Sequence, residues 1–176
     1  MESSDLEVAM STAIPVTRGP RALSSVEGEA RWFLANLAVV KLTGEEADGQ
    51  FSLVEMLAAK GDMPPLHVHH ADAETFLLDE GEVSFYADGR VHRCGPGSTF
   101  FAPRGIPHAY RVESESARFR VISSPPAFAE FVLEASVPAE TLTLPTEPSA
   151  ITPAEVTEIA GRYGIEILGP PGSLPA

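Results

Sequence analysis

Short apolar runs separated by turn residues fill residues 28–124 of the chain. In the run ARFRVIS, Phe119 and Val121 alternate with arginines, which is the pattern of a strand with one buried face. Asp88 and Gly89 lie between two further strand-like runs and form a strong signal for a two-residue hairpin loop. We therefore predict about eight short strands in this region and an all-β sandwich or barrel.

The pattern changes to helical spacing after the last of these runs. Apolar residues recur at helical spacing over residues 128–135. Further on, Thr152 and Glu155 have the spacing of a capping box, so a helix is expected to begin there and to end at Gly161 or Gly164. The sequence thus predicts two short helices after the strands.

The chain divides into three parts by composition and pattern. Residues 1–27 show no sustained period and are expected to form a partly flexible N-terminal arm. Residues 28–136 are expected to form one β-barrel domain, and no internal repeat divides it further. Residues 137–176 read as a Pro-rich connector, a short helix and a C-terminal tail, with coil expected from Gly169 onward.

The negative net charge of the chain argues against two classes of binding partner. A net charge of −13 over 176 residues argues against nucleic acid and against anionic membrane surfaces, which both select clustered Lys and Arg. Cys94 is the single cysteine, so no intrachain disulfide can form. The opening MESSDLEVAM lacks the pattern of a signal peptide, and no apolar run is long enough to span a bilayer. We expect a soluble cytoplasmic protein.

Four residues stand out as candidate metal ligands. His67 and His69 are two apart, so on a strand their imidazoles share a face, whereas His70 would point away. Glu74 can reach them if the next strand pairs antiparallel with theirs, and His108 follows a tight turn at the start of another strand. Three imidazoles and a carboxylate suit one divalent transition metal, and iron, nickel, manganese, cobalt, copper and zinc all remain open.

The spacing of these residues carries a resemblance. It reads G-x(5)-H-x-H-x(4)-E-x(6)-G from Gly61 to Gly81, followed by G-x(5)-P-x-G-x(2)-H from Gly97 to His108. The chain resembles the cupin superfamily in both motifs, which implies a double-stranded β-helix, a barrel of jelly-roll type, here with short C-terminal helices. One position departs, because the family's second motif often ends with asparagine where this chain has Val112. That asparagine is not a metal ligand in the family.

Softer cues lie in the segments ARWFLANLAVVKLTG, PPLHVHH and RYGIEILGPP. They are similar to single-domain bacterial cupins of the quercetin 2,3-dioxygenase group. This resemblance implies a metal-dependent dioxygenase that acts on a small aromatic or enolic substrate, with dioxygen as a second substrate, and a homodimer. Glu74 is then expected to be both a ligand and the general base that accepts the substrate's enol proton. A metal-dependent cyclase or isomerase of secondary metabolism, and a non-catalytic metal-binding cupin, remain alternatives.

Apolar residues near the motifs suggest an interior that would contact such a substrate. For each of them, plain core packing is an equally good interpretation. The candidate substrate-binding residues are Phe51, Leu53, Phe76, Tyr110, Val112 and Phe119.

Overall fold

The fold consists of two antiparallel sheets that enclose one main hydrophobic core. A computed structural model describes residues 19–147 and 149–175. The strands are β1 (Glu29–Phe33), β2 (Asn36–Leu42), β3 (Ser52–Ala59), β4 (Pro65–His69), β5 (Ala73–Glu80), β6 (Val83–Ala87), β7 (Arg90–Cys94), β8 (Thr99–Ala102), β9 (His108–Val112), β10 (Ser116–Ser124), β11 (Ser136–Pro138) and β12 (Ile165–Pro171). The helices are α1 (Phe128–Glu134) and α2 (Pro153–Arg162).

The seven-stranded sheet has the order β11-β1-β2-β3-β10-β5-β8, and the five-stranded sheet has the order β12-β4-β9-β6-β7. The alternation in β10 follows the prediction, because Phe119 and Val121 are buried in the main core while Arg118 and Arg120 lie on the outer face. Inward-facing positions of both sheets supply this core, which confirms the all-β fold.

The predicted hairpin is present, but the number of strands differs from the prediction. Ala87 pairs with Arg90 around a two-residue loop, and Asp88 and Gly89 both have positive φ, as such a loop requires. Ten strands, β1 to β10, lie within residues 28–124 instead of eight. The short β8 and the β7 strand, which has no fully buried position, carry little of the apolar alternation that sequence analysis detects.

Both predicted helices form. The capping box of α2 is present, with Thr152 accepting a hydrogen bond from the Glu155 backbone N–H, and the helix ends at Arg162. The hydroxyl of Ser123 accepts hydrogen bonds from the backbone N–H groups of Ala127 and Phe128, which satisfies the start of α1. No helix in the described part of the chain is long and apolar enough to cross a membrane.

The C-terminal tail departs from the expected coil. Residues 165–171 form β12, which pairs antiparallel with β4, so the prediction of coil from Gly169 is wrong for Gly169 to Pro171. The prolines and glycines of this segment favoured coil in the sequence analysis. At the edge of a sheet, however, proline is tolerated in a strand, because the backbone on the side without a neighbouring strand needs no N–H donor. The tail therefore joins the sheet that carries the histidines.

Candidate metal centre

Four side chains converge between the two sheets. One ligand atom from each of His67, His69, Glu74 and His108 lies within 4.8 Å of the others, and the group is able to hold a metal ion. The Glu74 Oε2 atom is 3.2 Å from His69 Nε2 and 3.1 Å from His108 Nε2. His67 is half-buried, and the other three residues are buried. The structure thus brings together all four residues that sequence analysis selected.

The histidines reach this point by strand parity and pairing. His67 and His69 share one face of β4, and His108 opens β9 directly opposite His67 in the ladder. The His70 side chain is exposed, as expected, and contacts Glu166 with 2.7 Å between Nε2 and Oε2. Alternation along β4 therefore separates the two inward histidines from their neighbour.

Glu74 lies near the histidines, but its strand is not in the sheet where we expected it. Its strand, β5, does not pair with β4 but lies in the seven-stranded sheet between β10 and β8. The short loop after His69 crosses from one sheet to the other, so the carboxylate faces the histidines across the interior. The antiparallel pairing of β4 with β5 on which the prediction depended is therefore absent, yet Glu74 still reaches the histidines from the other sheet.

Each of the three imidazoles is held at Nδ1. The Nδ1–H groups of His67 and His108 donate to the backbone carbonyls of Pro65 and Ile106, at 2.8 and 3.0 Å. A carbonyl oxygen can only accept, so the proton is on Nδ1 and Nε2 carries the lone pair in the neutral ring. This arrangement points Nε2 of each ring toward the other ligand atoms.

His69 is held by a side chain instead of a backbone carbonyl. Its Nδ1 lies 2.9 Å from Oδ1 of Asp72, which is completely buried in the loop between β4 and β5. The other oxygen of Asp72 has no hydrogen-bond partner among the residues that the structure describes. Sequence analysis missed this residue, because a contact made within a loop depends on the loop's path and leaves no periodic signal.

Burial and neighbouring charges set the protonation of the group. Burial lowers the pKa of His67 to about 3, with a further lowering by His108, although part of the residue remains accessible. Burial opposes protonation of His69 too, but the carboxylates of Glu74 and Asp72 outweigh it and raise the pKa of that ring. Burial acts to raise the pKa of Glu74, yet the histidines, His69 foremost, outweigh it and lower the pKa to about 2. The carboxylate is therefore ionised near neutral pH.

Aromatic side chains pack next to this group. Phe76 lies two residues after Glu74 on the same face of β5, and its ring centroid is 4.9 Å from that of Phe85 and 6.1 Å from that of Phe119. Tyr110 packs against Phe119 at 5.4 Å, and its hydroxyl donates to Asp62. These interior rings contact one another as core residues do.

Four of the six candidate substrate-binding residues lie in the interior and two do not. Phe76, Tyr110, Val112 and Phe119 are buried in the main core. Leu53 lies on the outer face of β3, because the inward positions of that strand are the alternate ones, such as Val54. Phe51 precedes β3, and neither residue belongs to the core that packs next to the ligands. The interior position expected of Leu53 was wrong, since apolar residues occupy both faces of β3 and sequence alone did not distinguish them.

The C-terminal strand contributes two residues that sequence analysis missed. Ile165 is directly opposite His69 in the ladder between β12 and β4, and Ile167 is opposite His67. Residues directly opposite each other in an antiparallel pair lie on the same face. Ile165 is buried in the main core and Ile167 packs against it, so β12 borders the histidines with apolar side chains.

A groove of about 810 Å³ lies elsewhere, on the outer face of the seven-stranded sheet. Leu53, Lys41 and Arg118 are among its lining residues, and none of the four candidate ligands is. The convergence of ligand atoms, and not the size of this groove, identifies the candidate site.

The chain matches a known family over the region that contains the ligands. Residues 54–124 match the family model described as "Cupin domain". Together with the two antiparallel sheets, this match supports the cupin fold that the motifs of the sequence indicated.

The chain also resembles a named enzyme. Over 164 residues, 93% of the chain, it is 26% identical to quercetin 2,3-dioxygenase of Bacillus subtilis (strain 168), and the match covers 49% of that protein. The chain thus spans about half the length of this curated relative.

Two solved structures share the fold. A predicted oxalate decarboxylase from Thermotoga maritima has a TM-score of 0.55 at 18% identity, with 59% of this chain and 98% of that chain covered. A polyketide cyclase from Streptomyces resistomycificus has a TM-score of 0.54 at 19% identity, with 74% and 90% covered. At these identities the likeness shows the fold alone.

Proposed function

We propose that the chain is a metal-dependent dioxygenase that acts on a small aromatic or enolic substrate, with ring cleavage of the quercetin 2,3-dioxygenase type as the leading case. The observation that carries this proposal is the convergence of His67, His69, Glu74 and His108. The resemblance to a quercetin 2,3-dioxygenase over 93% of the chain supports the choice of reaction.

The donor set fits a divalent transition metal. Each imidazole is anchored at Nδ1, which leaves Nε2 for a metal, and metal-ligating histidines almost always have their other ring nitrogen hydrogen-bonded in this way. Glu74 supplies an anionic oxygen to the same point. Three nitrogens and one oxygen without sulfur suit nickel, iron, manganese, cobalt, copper or zinc, and leave positions for a substrate.

The chain's own residues divide the work at this site. A divalent metal held there would supply Lewis acidity to a substrate hydroxyl. Glu74 is positioned to accept the proton of that hydroxyl, because its ionised carboxylate lies among the ligand atoms. Phe76 and Ile165 are buried apolar residues, on the strand of Glu74 and opposite His69 respectively, and would limit the access of water to the reacting atoms.

Oxygen uptake by metal-reconstituted protein tests the proposal. The protein is loaded separately with each candidate metal and assayed in an oxygen electrode against a panel of flavonols and simpler enols. We expect uptake that depends on both metal and substrate, and its loss in His69→Ala. His70→Ala is the matched control, since it removes the neighbouring histidine that points outward.

Two outcomes would contradict a dioxygenase. Turnover of an enolic substrate in the absence of oxygen would point to a metal-dependent cyclase or isomerase. Stoichiometric metal without turnover of any member of the panel would point to a non-catalytic metal-binding cupin. A separate outcome bears on the site itself: loss of activity in both His69→Ala and His70→Ala would contradict the assignment of His69 as a ligand and His70 as an outward residue without a role in turnover.

A further inference from the structure

The three histidines of the site are held in two different ways. His67 and His108 each donate Nδ1–H to the backbone carbonyl two residues earlier, Pro65 and Ile106 respectively. His69 alone is held by a side chain, at 2.9 Å from Oδ1 of Asp72. A backbone carbonyl can hold any histidine at such a position, whereas the contact with Asp72 depends on that one residue.

Burial of the Asp72 carboxylate is expected to destabilise the folded state. It is 0% exposed, and one of its carboxylate oxygens has no hydrogen-bond partner in the described structure. The only ion pair described for it is with His69. A buried carboxylate with incomplete hydrogen bonding destabilises a fold unless another charge compensates it.

The charge of the whole group indicates what that compensation is. Glu74 and Asp72 are two buried carboxylates, and the ion pairs described for them are formed with histidines and not with lysine or arginine. Histidines bind a metal in their neutral form, so with both carboxylates ionised the group that receives the ion would carry a charge of about −2. A divalent ion among the ligand atoms would neutralise it.

We propose that Asp72 is a positioning residue of the metal site, which orients His69 and supplies the second negative charge that balances a divalent ion. This inference rests on the proposed metal site but not on the proposed reaction. A carboxylate that accepts from the distal N–H of a ligating histidine fixes the ring's tautomer and increases the basicity of its ligating nitrogen. Asp72 would act through His69, because it contacts that ring and is not one of the four candidate ligands.

Metal affinity of purified variants tests the role of Asp72. Metal-free protein is titrated with zinc or cobalt(II) in competition with a chromophoric chelator. Asp72→Asn keeps an acceptor oxygen but removes the charge, and Asp72→Ala removes both. We expect affinity to fall about 10-fold in Asp72→Asn and up to about 100-fold in Asp72→Ala. Glu80→Gln is the control, because it removes one carboxylate from an exposed position of β5, and it should keep the wild-type affinity.

The visible spectrum of the cobalt(II) protein is the second measurement. It reports the geometry and strength of the ligands, so it should change in Asp72→Ala and remain unchanged in Glu80→Gln. A purely structural role would lower the thermal stability of the metal-free protein without changing affinity or spectrum. Should Asp72→Ala fail to fold, the isosteric Asp72→Asn decides the question.

The outcomes separate this inference from the proposed reaction. Wild-type affinity and spectrum in folded Asp72→Asn and Asp72→Ala would overturn the positioning role and leave the dioxygenase proposal standing. Metal binding that depends on Asp72 in a protein without oxygen uptake would support the positioning role and overturn the reaction. A wild-type protein that binds no divalent metal would overturn both.

Discussion

At the scale of single residues, parity and spacing located the candidate ligands. His67 and His69 could be assigned to one face from the two-residue period alone, and the outward direction of His70 followed from the same rule. Asp72 could not be found this way, because its contact with His69 is set by a loop. Leu53 was misplaced, because apolar residues lie on both faces of its strand.

Substitution of Glu74 tests its expected role as a base. In Glu74→Gln the amide can still bind weakly through oxygen but cannot accept a proton. We expect kcat to fall by about 10²- to 10⁴-fold while KM changes little, after rates are normalised to bound metal. Steady-state kinetics with the best substrate of the panel measure this, and Glu80→Gln on the same strand is the control. A fully metallated Glu74→Gln protein with wild-type kcat would rule out the base.

The buried histidine also predicts a pH dependence of stability in the metal-free protein. Burial, with a further effect of His108, lowers the pKa of His67 from its ordinary 6.5 to about 3. Between these values the unfolded chain binds more protons than the folded one, so the free energy of unfolding falls as the pH decreases from 6.5 toward 3. The pKa of Glu74 is lowered from 4.5 to about 2, so this residue further lowers the free energy of unfolding as the pH decreases from 4.5 toward 2. His69 acts in the opposite sense, since its raised pKa contributes stability that is lost as the pH rises through it.

Urea unfolding at a series of pH values measures this dependence. We expect His67→Gln to flatten the decline between pH 6.5 and about 3, because glutamine does not titrate. His92→Gln, which removes an exposed histidine from β7, should keep the wild-type profile. Identical profiles for wild type and His67→Gln would contradict the assignment of this effect to His67.

At the scale of elements, the hairpin around Asp88 and Gly89 and the capping box of α2 were predictable because short local signals determine them. The pairing of β12 with β4 was not predictable, because it joins segments that are far apart in the chain and because the proline-rich sequence of β12 resembles that of a coil. The placement of β5 in the opposite sheet from β4 likewise depends on the topology of the whole fold.

The role of β12 beside the histidines can be tested on the strand itself. Ile165 is 3% exposed and directly opposite His69, whereas Leu168 on the same strand is 43% exposed. We expect Ile165→Ala to lower the free energy of unfolding by about 2–4 kcal/mol, since it leaves a cavity in the core. Leu168→Ala should change it by less than about 0.5 kcal/mol. Chemical denaturation measures both, and equal effects of the two substitutions would contradict the burial of β12 against the core.

At the scale of the whole molecule, the candidate ligands connect the two sheets. Glu74 belongs to the seven-stranded sheet, and His67, His69 and His108 belong to the five-stranded one. The two sheets and their jelly-roll type were predictable from the motifs and the strand pattern. A homodimer remains a prediction that light scattering of the purified protein can test.

Elemental analysis of the purified protein tests the central claim most directly. Wild-type protein and the His67→Ala/His108→Ala double variant are expressed in the same medium, purified in parallel and measured for first-row transition metals. The ligand geometry predicts one metal ion per wild-type chain and its loss in the folded double variant. Equal metal content in both proteins, or a wild-type protein that neither retains nor takes up a divalent transition metal, would contradict the account.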